Sequence, residues 1–405
     1  MTNLPQGWEV KTLSEIGEII TGSTPSKSNV EFYGKDYPFF KPSDFEQGYF
    51  LENAGDNLSK LGFGKARQLP PKTILVVCIG SLGKVALTRV IGSCNQQINA
   101  IIPHKNIISE YIYYYCISSK FQSILFSKAP QTTLAIFNKT EFSKLEIIYP
   151  KDIKKQERIV GILDESFAKI DESIKILEQD LLNLDELMQS ALQKAFNPLK
   201  DNVKENYKLP QSWEWKSLGE IGEIITGTTP SKNNPNFYGN EYPLFKPSDL
   251  NGDIIIKYAS DNLSKLGFDN ARNLPKDTIL VVCIGASIGK VGLSGVNGSC
   301  NQQINAIIPN SAFTSKYLFF VCLSNYFQTI LKKNASQTTL PIINKTEFSK
   351  LQIPLPPIKE QEQIASHLDE LSSHVKNLKQ NYQAQIKDLQ ELKNSLLDKA
   401  FKGNL

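Results

Sequence analysis

The sequence has few of the residues that most often carry chemistry. Its 405 residues include only three histidines, two methionines and three tryptophans. His104, His367 and His374 have no counterparts in the opposite half of the chain, and the last two lie seven apart in a helical stretch, which reads as a solvated face rather than a metal site. Ser43-Asp44 and Ser248-Asp249 therefore lack a repeated histidine to complete a triad. The six cysteines form three equivalent pairs, Cys78/Cys283, Cys94/Cys300 and Cys116/Cys322, with no C-x-x-C spacing, and are read as buried reduced thiols. No glycine-rich dinucleotide or methyl-donor motif occurs. The longest apolar run, Ile74 to Ile79, is too short to cross a bilayer, and Met1 to Val10 has no basic-then-apolar leader. A cytoplasmic protein with no membrane partner is expected.

Net charge is also small, at +4, but it is unevenly placed. Residues 1–152 carry a net +3 and residues 208–357 a net +4, whereas 153–197 carries −3, and 198–207 and 358–402 balance. Two weakly basic blocks on a less basic spacer suit two anion-facing modules.

What the chain does have is one unit written twice. Trp8-Glu9-Val10-Lys11 returns as Trp213-Glu214-Trp215-Lys216, and Lys41-Pro42-Ser43-Asp44 as Lys246-Pro247-Ser248-Asp249. Beyond Gly80/Gly285 one inserted residue shifts the register, and Gly92 to Ala100 then matches Gly298 to Ala306. Such self-similarity fixes the organisation before any detail does: globule 1–152, helix 153–197, linker 198–207, globule 208–357 and helix 358–402.

Both helices carry an apolar seam with alternating spacings of three and four. The first runs through Val160, Leu163, Phe167, Ile170, Ile174, Leu177, Leu181, Leu184, Met188, Ala191 and Ala195. The second runs through Ile364, Leu368, Leu371, Val375, Leu378, Tyr382, Gln385, Leu389, Leu392 and Leu396, with Gln385 its one polar member. At 1.5 Å per residue each helix is about 66 Å long. The linker Pro198 to Tyr207 reaches at most about 36 Å, so it cannot bridge parallel helices. Antiparallel packing is expected, with the globules at opposite ends of the rod and an approximate two-fold axis across it.

Each globule reads as α+β. Thr73 to Ile79, Lys84 to Thr88 and Gln97 to Ile102 read as neighbouring strands, Ser109 to Phe126 as a helix, and Gly22 to Asn29 and Gly34 to Pro42 as long loops. Gly80-Ser81-Leu82-Gly83-Lys84 and Gly285 to Lys290 follow a strand as a phosphate loop would. They have the wrong spacing, a valine after the lysine, and a return to strand. They read as tight turns presenting Lys84 and Lys290, with a plain hairpin as the alternative, and an ATPase is disfavoured. Tyr111 and Tyr113 to Tyr115 read as core rather than a stacking platform, because Tyr317 to Phe320 matches them in a helical pattern.

The remaining repeated polar residues are of the type that touches nucleic acid. They are Lys41 and Lys246; Lys65, Arg67, Asn270 and Arg272; Lys84 and Lys290; Gln96 and Gln302; and Gln131, Thr132, Gln337 and Thr338. Lysine and arginine serve phosphates, while Gln, Asn and Arg can read base edges. Residues that differ between the repeats are candidates for base choice: Ser81-Leu82 against Ala286-Ser287-Ile288, Arg89 against Gly295, and Gln47 to Glu52 against Asn251 to Lys257.

The Trp-Glu-x-Lys opening, the Thr-Gly-x-Thr-Pro-Ser loop at 21–26 and 226–231, Lys-Pro-Ser-Asp, the Gly-Lys turn, Asn-Gln-Gln and the Gln-Glu-x-Ile helix starts at 156 and 361 together resemble the specificity subunit of type I restriction-modification systems. The resemblance covers both repeats. It implies two target recognition domains, each reading one half of a bipartite duplex DNA site, and two spacer helices that set the gap; a rod of about 66 Å, less the readers' own footprints, leaves a gap of roughly half a turn to one turn of DNA. It implies a non-catalytic chain with no cofactor of its own. S-adenosylmethionine, ATP and magnesium would reside on two methyltransferase subunits and on restriction-translocase subunits. The likeness of the globules implies similar half-sites. Glu157-Arg158, Asp171-Glu172, Glu360 and Glu362 are partner-docking or plain solvated faces. A protein-binding coiled-coil scaffold is the rival reading.

Overall fold

The computed structural model describes residues 4–129, 136–196, 209–210, 212–250, 254–311, 313–336 and 340–405. The chain divides into two units, Met1–Leu177 with Gln383–Leu405, and Glu178–Tyr382.

In the first unit, the run expected as a buried strand forms Ile74–Val77 at the centre of a five-stranded sheet. It is flanked by Ile98–Pro103 and Val85–Thr88, both antiparallel, with Gly17–Thr21 and Phe50–Leu51 at the edges. Both faces of the central strand are covered, which is why its sequence is continuously apolar instead of alternating. Ile74 and Val76 join a core with Tyr111, Ile112 and Tyr115, while Leu75 and Val77 join a second core with Phe40, Phe45 and Leu51. A three-stranded sheet (Asp56–Leu58, Tyr33–Phe40, Ser93–Cys94) and a strand pair (Trp8–Thr12 with Glu146–Pro150) complete the globule. The second unit repeats all three sheets, with Ile279–Val282 at the centre of its five-stranded one.

Two local expectations are corrected. The segment Gly34 to Pro42 is mostly strand, because Gly34 packs without a side chain against Ser59 and a bulge between Tyr33 and Tyr37 absorbs the irregular spacing. The single helix expected over Ser109 to Phe126 is two, Ser109–Ile117 and Ser119–Lys128. Ser118 adopts an extended backbone between them, and its side chain caps the second helix at Phe121 N. Ser324 breaks the second unit's helix in the same way.

The long helices span Ile153–Ala195 and Ile358–Phe401. Each unit contains a stretch of both, running antiparallel. In the first, Leu163 shares a core with Leu397 and Ala400, and Asp171 pairs with Lys393. In the second, Leu192 shares a core with Ala365 and Leu368, and Asp185 pairs with Lys379. Buried Gln156 and Gln361 attach the helix starts to the globules. Gln156 accepts from Ile108 N (3.0 Å) and donates to Pro150 O (2.9 Å), and Gln361 does the same with Thr314 N (3.0 Å) and Pro356 O (2.8 Å).

The seam of the first helix lies inward throughout, from Leu163 through Ile170, Ile174, Leu177 and Leu181 to Leu184. On the second helix Leu368, Leu371, Val375, Tyr382, Leu389 and Leu396 are buried or half-buried, but Leu378 and Leu392 are 39% and 45% exposed. Gln385 is also exposed, and the inward stripe passes instead through Ile386, the stem of Lys393, Leu397 and Ala400. A 3.6-residue turn drifts about 20° per heptad from a strict seven-residue repeat, so the buried stripe leaves the expected seam late in the helix.

Candidate nucleic-acid interface

Three chain segments meet at one loop cluster in each globule. Gly22 leaves the edge strand so close to Ser93–Cys94 that any side chain would collide with the carbonyl oxygens of Cys94 and Asn95; Gly227 is confined in the same way. The chain thereafter lies against the 93–96 segment, with Ser23 N donating to Cys94 O (3.0 Å). Arg67 binds this loop twice, through Nη1 to Thr21 O (2.5 Å) and through its backbone N to Ser23 Oγ (3.3 Å). Ser93 Oγ donates to Arg67 O (2.8 Å), and Thr24 Oγ1 donates to Gln96 Oε1 (2.5 Å). The second unit has the same set. Arg272 donates to Thr226 O (2.6 Å) and Thr228 Oγ1 (3.3 Å), Ser299 to Arg272 O (2.9 Å) and Thr229 to Gln302 Oε1 (2.8 Å). Gln97 turns inward, accepting from Asn95 Nδ2 (2.8 Å), so Gln96 is the exposed member of the pair.

The Gly-Lys turn lies beside this cluster. Gly83 and Gly289 take φ of +89° and +95°, the left-handed region that favours glycine. Gln122 Nε2 pins Gly83 O (2.9 Å) and Gln328 pins Gly289 O (2.8 Å). The chain then re-enters a strand, Val85–Thr88, so the turn does not open a helix as a phosphate loop would. Phe137 N and Ile343 N donate to Cys78 O and Cys283 O, at the strand ends that lead into the turn. Gln131, Thr132, Gln337 and Thr338 themselves lie outside the described residues.

The basic candidates are engaged to different degrees. Lys41 and Lys246 pair with Asp56 and Asp261, and Lys84 pairs with Glu46 (2.5 Å), whereas Lys290 donates to Pro247 O (3.3 Å). Lys65 is exposed, while Asn270 spends its amide on Leu266 O of its own helix (2.8 Å). Ser81 is exposed on its turn and Ser287 half-buried on the longer one. Arg89 is set away from the loop cluster: it stacks 3.7 Å over Phe50, pairs with Glu52 (2.9 Å) and lines a cleft of about 1080 Å³ against the helices. Asp44 and Asp249 hold loops, each accepting two backbone N–H groups, which gives the Lys-Pro-Ser-Asp stretch a structural role.

Burial pushes the thiols of Cys78, Cys94, Cys283 and Cys300 up to about 12, far from a reactive thiolate. Among the described residues no group of His, Cys, Asp and Glu converges as metal ligands, and no helix is long and apolar enough to cross a membrane. Sequence reasoning missed Thr24, Thr229, Gln122 and Gln328. Their signal was present, since each pair recurs at the repeat offset.

The model of the type I restriction modification DNA specificity domain matches residues 5–181 and again 210–388. The chain belongs to that family. Each match covers a globule and most of the helix that follows it, so the family unit is the repeated unit. A type I restriction enzyme HindI specificity subunit from Haemophilus influenzae is 39% identical over 44% of this chain, an alignment spanning only 40% of that relative. The MjaIX specificity subunit of Methanocaldococcus jannaschii is 24% identical over 99% of this chain and 94% of its own length. Among solved structures, a chain from a study of complex assembly in a type I R-M system aligns over its full length at TM-score 0.81 and 20% identity. The HsdS subunit of Thermoanaerobacter tengcongensis aligns at TM-score 0.59 and 20% identity, covering 99% and 98% of the two chains. At these identities the structural likeness speaks for the fold, and family membership rests on the sequence match. This specificity protein recognises DNA.

Proposed function

We propose that this chain is the DNA-reading subunit of a type I restriction-modification assembly, in which each globule engages one half of a bipartite duplex site and the paired helices set the unread gap. The observation that carries the reading is the duplicated loop cluster at 21–24, 67 and 96 and at 226–229, 272 and 302, with its exposed arginine and glutamine. A scaffold that bound protein alone would have no need of two copies of a basic, donor-bearing surface.

The chain itself is proposed to be non-catalytic and cytoplasmic. Methyl transfer from S-adenosylmethionine and ATP-driven translocation and cleavage, with magnesium, are assigned to two methyltransferase subunits and to restriction subunits. The likeness of the two globules as a whole supports similar half-sites and a nearly palindromic target. Single-molecule methylation mapping of the source genome tests this. A gapped motif with inverted, related halves is expected, and an ungapped motif or unrelated halves would overturn it. Duplex binding by the chain together with its methyltransferase partners should weaken steeply with salt.

A further inference from the structure

The glutamines of the loop cluster were expected to read base edges, but their hydrogen bonding argues for a different ligand. A glutamine reads adenine bidentately by accepting at Oε1 while donating from Nε2. Here Thr24 and Thr229 donate to the Oε1 of Gln96 and Gln302, turning both carboxamides so that the Nε2 donors are left for an outside partner. Among the described residues neither Nε2 has a hydrogen-bond partner.

The arginines show the same polarity. One of five guanidinium donors on Arg67 and on Arg272 is spent on a threonine carbonyl of the same loop, which fixes the side chain against it. Among the described residues no carboxylate pairs with either, whereas Arg89, Lys41 and Lys84 each have one. Arg272 is the only arginine between residues 208 and 357, and it stands where the first globule has Arg67. Each cluster thus offers cation and amide donors, with one acceptor site of the glutamine oxygen already taken by the threonine.

We infer that Thr24, Arg67 and Gln96, and likewise Thr229, Arg272 and Gln302, form one phosphate cradle per globule, whose ligand is a backbone phosphodiester of the DNA and not a base. A phosphodiester accepts hydrogen bonds and cannot donate them, which suits a site that offers donors. Arg67 and Gln96 touch the phosphate; Thr24 is a positioning residue that holds the carboxamide. The cradle sets the register of each globule on the duplex, and sequence is read by loops that differ between the units. This inference rests on the DNA-recognition reading.

The test uses the full chain assembled with its methyltransferase subunits, binding a duplex with the mapped target and a scrambled duplex across a salt series. Gln96→Glu keeps the shape and replaces donors with a charged acceptor. It should weaken both duplexes about tenfold, leave their affinity ratio unchanged, and lower the salt slope by up to about 0.9, because the new carboxylate offsets the charge that Arg67 brings to the phosphate. Arg272→Gln should do the same from the other globule. Thr24→Val should cost about threefold and Thr24→Ser should restore it, which a purely structural role for Gln96 would not produce. Thermal midpoints at these exposed sites should stay within a degree or two, separating contact loss from unfolding. A change in the target-to-scrambled ratio, or a new base in the methylated motif, would make the cluster a base reader and overturn the inference. Unchanged affinity and slope would overturn it as well. Failure of the unaltered complex to bind either duplex would instead sink the DNA-recognition reading itself.

Discussion

The two units share their loop hydrogen bonds almost atom for atom and differ most where the globule faces its helices. In the first, Tyr113, Tyr49 and Phe50 stack at 4.0 Å steps and Arg89 lies over Phe50. In the second the equivalents are Phe319, Ile254, Ile255 and Gly295, and a side chain on Gly295 would press into Ile255. Lys72 faces Glu110 at 3.6 Å in the first unit, while the same two positions hold Asp277 and Lys316 in the second, and Lys316 turns to Asp369. Trp213 donates to Glu360 (2.9 Å), but Trp8 has Lys155 over its ring and no hydrogen-bond partner for its indole N–H among the described residues. Side chains on these faces have been exchanged in matched sets, because a close-packed contact tolerates a new residue only when its neighbour changes too. The loop cluster has kept its threonine, arginine and glutamine, with Ser23 matched by Thr228, so what holds it constant is not packing against the helices.

The comparison can be broken most strongly at the helix ends. Phe401 sits edge-on to Tyr111 and Tyr115 (5.4 and 5.1 Å) in the first unit, and Phe196 packs against Tyr317 (5.8 Å) in the second. Phe401→Ala should cost about 3–5 kcal/mol and lower hydrogen-exchange protection of the Ser109–Ile117 helix, while Ser315–Leu323 keeps its own. Phe196→Ala should reverse the pattern. Equal loss in both helices would mean that the units do not respond separately.

Next comes the buried glutamine at each helix start. Gln156→Leu leaves Ile108 N unpaired and should destabilise by about 1–3 kcal/mol in chemical denaturation. Gln361→Leu should match it, since the bonds are the same; a markedly unequal pair would show that the two attachments differ in worth.

A smaller effect follows from the Lys246–Asp261 pair. The hydrogen bond from Lys246 holds the Asp261 carboxyl below its ordinary value, so the pair stabilises the fold above the unfolded carboxylate range and that contribution is lost as pH falls through the lowered value. Lys246→Gln should lower the thermal midpoint at pH 7 by an amount worth about 1 kcal/mol or less. The difference should shrink below about pH 4. A difference that grows on acidification would contradict the assignment. Least of all, Lys155→Glu copies Glu360 into the first unit and should supply the acceptor that Trp8 lacks. The expected gain is at most about 1 kcal/mol, offset in part by the lost cation–π contact. Destabilisation would show that the lysine over the ring matters more than the indole bond.

The duplication, the two long helices, the central strand and the antiparallel sense of the helices were all legible in the residues, because each rests on a period or on a length of chain. The late seam was not. Leu392 and Leu397 are both leucines on the same helix, and only the drift of a 3.6-residue turn decides which one is buried. Nor was the break at Ser118, whose neighbours continue the helical spacing without interruption.

For the candidate interface, the amino-acid sequence on its own determined that one set of polar loops exists twice. It could name Arg67 and Gln96 as polar and repeated, but not say what they offer. Only the tertiary structure decided that, by bringing Thr24 from 72 residues away to bond the glutamine oxygen and by giving Lys41 and Lys84 carboxylate partners that Arg67 lacks among the described residues. A side chain's chemical type is written in the chain, whereas its free donors and acceptors depend on which neighbours folding has set against it.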